Sequence, residues 1–242
     1  LTEENIPTLS KDETVSAQYS AYKNDIRLTK QNPTMLIYHT HAGETYSDSP
    51  EGNYHSKNKE KSVIEVGTLL TEQLSKKGWG IAHSIKYHDY PDFTKSYISS
   101  LETVTSMLNN YKNINVAIDL HRDGVPATTH LVTEINGKPT AQIMFFNGLS
   151  RTTSQGELTH LKNPNIEDNL AFSFQMQLDA AEYFPDLTRK IYLKGYRYNL
   201  HLCPKSMLVE VGAQTNTFEE AKNAMEPLAA LLSYVLTENS GK

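Results

Sequence analysis

Apolar and polar positions along the chain alternate between two periods. Met35-Leu36-Ile37-Tyr38 is a short continuous apolar run, the mark of a strand buried on both faces. Val63, Val66, Leu70 and Leu74 then recur at helical spacing, and Gly78 supplies the stop. Residues 80–86 read as a second strand, and Tyr97, Leu101, Val104, Leu108 and Tyr111 as a second helical stripe. The run 115–120 is the next strand, ending at His121. Two further runs, 130–135 and 139–146, are joined through Asn136-Gly137, a hairpin signal because both turn positions need positive φ. Beyond a long polar loop over 147–166, Leu170, Phe174, Leu178 and Ala181 mark the core stripe of a third helix. A strand over 206–211 follows, then a closing helix through Phe218, Ala221, Met225, Leu228, Leu232 and Val235. This order predicts an α/β fold: a twisted, mostly parallel mixed sheet with helices on both faces and one antiparallel hairpin.

Residues 1–32 break the pattern. They are polar and carry mixed charge, and Val15, Tyr19, Tyr22 and Ile26 fall at helical spacing, which predicts a linker or docking helix ahead of a catalytic domain over 33–242. With 242 residues the chain is long enough for a large core without staples, and its single cysteine, Cys203, rules out an internal disulfide. A net charge of −5 argues against a nucleic-acid partner, which calls for a basic stripe. No apolar run approaches the roughly 20 residues of a membrane span.

In open α/β sheets the site lies beyond the carboxyl ends of the strands, and three such ends carry chemistry. One runs into His39-Thr40-His41-Ala42-Gly43-Glu44, another ends in Asp119-Leu120-His121-Arg122-Asp123, and the last holds Glu210 within an apolar run. A carboxylate there is costly unless paired, hydrogen-bonded or metal-associated. Histidines and acids converging on one sheet edge suit a divalent metal, zinc first. The competing reading has a histidine merely capping a strand and Glu210 paired with an arginine such as Arg197.

The runs 35–41, 117–124 and 207–212, with Asn163-Pro164-Asn165 and Asn169-Leu170-Ala171-Phe172, resemble the stage II sporulation protein P family. That family belongs to the zinc-dependent N-acetylmuramoyl-L-alanine amidases of the amidase 3 type. The strongest piece is Val209-Glu210-Val211-Gly212 with Thr215-Asn216 and Glu219-Glu220-Ala221. The resemblance spans about residues 33–238 and implies an amidase 3-like (phosphorylase/hydrolase-like) fold. It implies Zn2+ held by His41, with His39 in reserve, by Glu60 and by His121, and Glu210 as catalytic acid and base. Glu65, Glu51, Glu44 or His55 could stand in for Glu60. Arg122 is expected to hold a substrate carboxylate or oxyanion, or else to pair with Asp119 or Asp123. Asp119, Asp123 and Asn169 are candidates for orienting the histidines.

The implied activity is peptidoglycan hydrolysis at the amide between N-acetylmuramic acid and L-alanine, with cleavage of stem-peptide cross-links as a second activity. The implied setting is engulfment in sporulation, with stage II sporulation proteins D and M as partners. The implied place is extracytoplasmic, at the engulfing septal membrane, with the full-length protein expected to be held by an N-terminal anchor removed from this chain. A zinc exopeptidase of related fold and a wall-binding module without chemistry are the rival readings. His83, His88, His130 and His160 read as surface or loop residues, His201 as a possible neighbour of the cleft, and Cys203 as a packed thiol. The loop 147–166 is a candidate groove wall.

Overall fold

The computed structural model describes residues 20–22 and 25–238. Among the described residues the strands are β1 (Ser20–Tyr22), β2 (Ile26–Leu28), β3 (Met35–Tyr38), β4 (Ile81–Ser84), β5 (Val116–Asp123), β6 (Val132–Ile135), β7 (Lys138–Ala141), β8 (Ile143–Gly148), β9 (Arg151–Thr152), β10 (Gly156–Glu157), β11 (Tyr192–Lys194) and β12 (Ser206–Ala213). The helices are α1 (Val63–Lys76), α2 (Ser96–Asn110), α3 (Ile166–Tyr183), α4 (Phe218–Asn223) and α5 (Met225–Glu238). Eight strands form one sheet in the order β1-β2-β4-β3-β5-β12-β8-β11. Its centre, β4-β3-β5-β12, is parallel, while β8 runs antiparallel to β12 and β2 antiparallel to β4.

The run Met35–Tyr38 shows why a fully apolar strand is needed at the centre. Met35 and Ile37 join the main core with Leu70 of α1, Met176 of α3 and Leu228 of α5. Leu36 and Tyr38 point the other way, onto Val104 and Met107 of α2. Helices therefore cover both faces, with α2 on the face opposite α1, α3 and α5.

Four expectations change. Tyr22 and Ile26, read as helical, lie in β1 and β2, an antiparallel hairpin turned at Asp25 (φ 60°) whose second strand pairs with β4. The sheet thus begins before residue 33, whereas Val15 and Tyr19 lie outside the described residues. The strand over 115–120 continues through His121 to Asp123. The closing stripe is two helices: Thr217 and Glu220 form a capping box at the start of α4, and α5 restarts at Met225 with Pro227 in its first turn. Proline is tolerated there because a first-turn N–H has no partner within the helix. The hairpin turn is as expected, with Asn136 and Gly137 at φ 52° and 75° between β6 and β7.

The register of α3 is the fourth change. Phe174 and Leu178 are 59% and 48% exposed, and the buried face is Asn169, Phe172, Ser173, Met176, Asp179 and Ala180. Polar tethers decide this orientation. Asn169 donates to Leu200 O (2.6 Å) and accepts from Ser206 N (2.8 Å), and Ser173 exchanges bonds with Asn147 of β8. Those bonds hold the start of β12, and so the strand that carries Glu210.

Candidate active site

Two adjacent parallel strands set the site. In the register of β5 against β12, Glu210 lies opposite His121; in that of β3 against β5, Tyr38 lies opposite Asp119. The chain leaving β3 therefore delivers Thr40 and His41 beside the end of β5. Thr40 donates to both oxygens of Asp119, from its N–H (2.8 Å) and its Oγ1 (2.6 Å).

His121 is buried between two carboxylates. Its Nε2 lies 2.8 Å from Asp119 Oδ1 and its Nδ1 3.4 Å from Glu44 Oε2. Burial alone would favour the neutral ring, but Asp119 and Glu44 outweigh it and raise the His121 pKa well above the ordinary value. Burial likewise works to raise both acids. The His121 charge and hydrogen bonds reverse this, holding Asp119 and Glu44 below the usual carboxylate range. His41 faces His121 edge-on at 5.3 Å between ring centroids, stacks on Phe93 at 4.3 Å and meets Tyr97 at 5.7 Å. Burial and the neighbouring His121 lower its pKa. Its Nδ1 is buried with no hydrogen-bond partner among the described residues.

Glu210 is the opposite case. Burial, with the nearby charges of Glu44 and Asp123, pushes its pKa up to about 8 against the pull of His121 and Arg122. Its Oε2 also has no hydrogen-bond partner among the described residues. Arg197, the alternative partner, donates instead to Lys162 O. A carboxyl group poised near neutrality and without a bond to spend is suited to moving protons.

Glu60 does not join this group. It is exposed in the turn before α1, its backbone N–H bonded to Asn58 Oδ1. The carboxylate set against His121 is Glu44. The signal was in His41-Ala42-Gly43-Glu44: a turn closes from Glu44 N to His41 O (3.1 Å), and Gly43 is required because a Cβ would meet His55 Nε2 at 2.8 Å and Asp89 Oδ2 at 2.9 Å. Arg122 also departs from expectation. Its side chain donates to the carbonyls of Thr45 (3.2 Å), Tyr54 (2.6 Å) and Asp123 (3.3 Å), with Glu44 Oε1 3.9 Å away. That geometry braces the 44–54 loop, and it is Arg189 that pairs with Asp123 (2.7 Å).

His39 points away from His41. Its Nδ1 donates to Leu120 O (2.8 Å) and its Nε2 meets His83 Nε2 at 2.9 Å, both rings being fully buried. Burial lowers both pKa values, His39 to about 4. His83 and His88 are thus core residues; His88 bridges His39 O and Thr103 Oγ1. His130 and His160 are exposed as expected. The His39–His83 pair packs directly on Gly67 of α1, where a Cβ would come within 2.7 Å of His39 and 2.9 Å of His83. Gly67→Ala is therefore expected to destabilise by about 1–3 kcal/mol, although alanine is the better helix former by about 1 kcal/mol. Urea unfolding measures it, and a more stable variant would refute the packing argument. Cys203 is buried, with its thiol pushed up to about 11 by burial, and is inert. His201 is half-buried, and its Nδ1 has no hydrogen-bond partner among the described residues.

A family model described as stage II sporulation protein P matches residues 2–233. The chain belongs to that family. Stage II sporulation protein P of Bacillus subtilis (strain 168) is 26% identical over 252 residues, covering 96% of this chain and 58% of the relative. The chain thus spans a little over half the length of that curated relative. Among solved structures, the CwlD amidase of Clostridioides difficile, determined with the GerS lipoprotein, superposes with a TM-score of 0.51 at 14% identity. That match covers 86% of this chain and 98% of the amidase. The catalytic domain of CwlV, an N-acetylmuramoyl-L-alanine amidase from Bacillus (Paenibacillus) polymyxa var. colistinus, gives 0.48 at 13% identity, over 86% and 98% of the two chains. The fold is of the amidase 3 type, as the sequence motifs implied.

Amidases of that fold imply a metal, and the donors here suit one in kind and place. His41 brings a buried ring nitrogen with no partner among the described residues, Glu44 a carboxylate, and His121 a second imidazole whose Nε2 lies 2.8 Å from Asp119 Oδ1. Two imidazoles and a carboxylate are the donor set of many catalytic zinc sites. Among the described residues no three His, Cys, Asp or Glu side chains close into a finished metal cluster.

Proposed function

We propose that the chain is a zinc-dependent peptidoglycan hydrolase that cuts the amide between N-acetylmuramic acid and the L-alanine of the stem peptide, in the wall remodelling of sporulation. The observation that carries this reading is the register that sets Glu210, half-buried and with its pKa raised to about 8, opposite His121 on the adjacent strand. His41, Glu44 and His121 would hold the zinc. Bound there, the ion would supply Lewis acidity and bring the pKa of water to about 7.

The remaining work falls to side chains. Glu210 takes a proton from the attacking water at its free Oε2 and returns it to the departing amine nitrogen. Its raised proton affinity suits both halves of that exchange. Asp119 fixes the ring of His121 through Nε2, which directs Nδ1 toward Glu44. Arg122 holds the loop that bears Glu44, so it acts by positioning and not by binding substrate. We extend the reading, on family likeness, to cleavage of stem-peptide cross-links, to partnership with stage II sporulation proteins D and M, and to an extracytoplasmic place at the engulfing septal membrane. Among the described residues no helix is long and apolar enough to cross a membrane.

Incubation with purified sacculi is expected to release stem peptides bearing a free L-alanine amino group. A zinc chelator should abolish release and added zinc restore it. Absence of release overturns the amidase assignment, and release that survives chelation overturns zinc.

A further inference from the structure

A file of aromatic rings leaves the site in one direction, and none of the chemistry above uses it. From His41 the ring contacts pass to Tyr97, from Tyr97 to Tyr198 (5.4 Å), and from Tyr198 both to Tyr196 (6.5 Å) and to Phe146 (4.8 Å). Phe146 continues to Tyr192 (5.5 Å) on the edge strand β11. The file runs over the catalytic face of the sheet. Tyr192 lies opposite Phe146, Phe146 opposite Leu208, and Leu208 points to the same side as Glu210, two residues on. At the far end Tyr196 and Tyr192 are 60% and 43% exposed.

The platform is preformed. Tyr198 and Asn199 both hold positive φ (50° and 59°), a strained conformation for a residue other than glycine. Asn199 Nδ2 secures it by donating to Tyr97 O (2.8 Å) and Ser100 Oγ (3.0 Å). Beneath, Gly148 lets the loop lie directly on β8, since a Cβ there would come within 2.9 Å of Arg197 Cα and closer still to Tyr196 O.

We propose that this strip is a glycan-binding track, on which the sugar strand carrying the scissile muramoyl amide lies across the tyrosines. The proposal rests on the amidase reading and deepens it. A pyranose has an apolar C–H face and a rim of hydroxyls, which matches a tyrosine's flat ring and polar tip. The acyl side of the amide is borne by a sugar, so one of the surfaces leaving the site must take the sugar's neighbours. A stem peptide would instead want convergent hydrogen-bonding groups; the strip sets one cation, Lys194, over the Tyr192 ring at 5.3 Å, and Asn199, its nearest amide, is spent on holding the loop.

The test compares the wild type with Tyr192→Ala/Tyr196→Ala and with Tyr192→Phe/Tyr196→Phe, using peptide-free glycan strands, free stem peptide, disaccharide-peptide and sacculi. The alanine pair should bind peptide-free strands about tenfold more weakly or worse, and its turnover on sacculi relative to disaccharide-peptide should fall similarly. The phenylalanine pair, which keeps the rings, should retain most of both. Should the double variant fail to fold, Tyr196→Ala alone is read in its place. Unchanged strand affinity, or a loss confined to stem peptide, overturns the track. Tyrosine-dependent strand binding without release of stem peptide sinks the amidase reading and keeps the track. Release with tyrosine-independent binding does the reverse, and neither binding nor release sinks both.

Discussion

Glu210→Gln is expected to lower stem-peptide release by roughly 10²–10⁴-fold, the usual worth of a positioned general acid and base. Glutamine keeps the shape of the side chain and removes only its ability to exchange a proton. The fold should not suffer. Glu210 Oε2 has no hydrogen-bond partner among the described residues, so no bond is broken by the change there. The sign of the pH effect makes the result diagnostic. Burial raises the Glu210 pKa from 4.5 to about 8, so the folded chain holds this proton more tightly than the unfolded one. The wild type then loses stability as pH rises from 4.5 through about 8, and glutamine, which cannot ionise, does not. In the metal-free protein the variant should match the wild type at acid pH and exceed it near pH 8, by thermal unfolding at matched ionic strength. Loss of activity with loss of stability at every pH would mean that Glu210 is structural. Retained activity would remove it from the mechanism.

The alternating pattern located nearly every central element, because a strand buried on both faces must be apolar throughout. Met35–Tyr38 is the plain case, with its residues shared between two cores. The pattern misled where polar contacts override hydrophobicity. On α3 the stripe Phe174 and Leu178 looked like the core face, but Asn169 and Ser173 anchor the opposite side by hydrogen bonds. Nothing in a periodicity of apolar residues reports a buried asparagine that ties a helix to a strand start. The same holds at Tyr22 and Ile26, where two positions at helical spacing also fit strands, and pairing with β4 decides between them.

At the site, the strand ends were legible because β5 and β12 are adjacent and in register, bringing His121 and Glu210 together as the motifs implied. Choosing between His39 and His41 needed a third dimension. His39 points into a buried histidine pair and His41 toward His121, although residues two apart on a strand share a face; the chain leaves β3 after Tyr38 and turns over residues 40–43, and that turn separates the two rings. Glu44 rather than Glu60 depended on a turn too short to leave a periodic trace, although Gly43 marks it. Arg122 was read by type, as an arginine beside a catalytic histidine. Its partners proved to be main-chain carbonyls, and those cannot be read from the identities of other residues.

Asp119→Ala is expected to destabilise the protein by about 3–5 kcal/mol, the cost of breaking a buried ion pair by removing one partner. Asp119 is fully buried, accepts both Thr40 bonds and lies 2.8 Å from His121 Nε2. Its loss leaves the Thr40 N–H without its acceptor, turns Thr40 Oγ1 to Ser100 alone, and leaves a ring pulled toward the charged state only by Glu44. Asp119→Asn separates the two contributions. The amide oxygen still accepts from Thr40, so the junction of β3 with β5 survives and most of the stability should remain. The charge that holds the His121 ring is gone in both variants, so zinc affinity should fall about 10–100-fold in the asparagine variant too. Urea unfolding and metal titration of the same preparations give the two numbers. An alanine variant within about 0.5 kcal/mol of the wild type would place Asp119 among ordinary surface changes and refute the network. Equal zinc affinity in the asparagine variant would show that an uncharged amide oxygen at this place positions His121 as well as the carboxylate does.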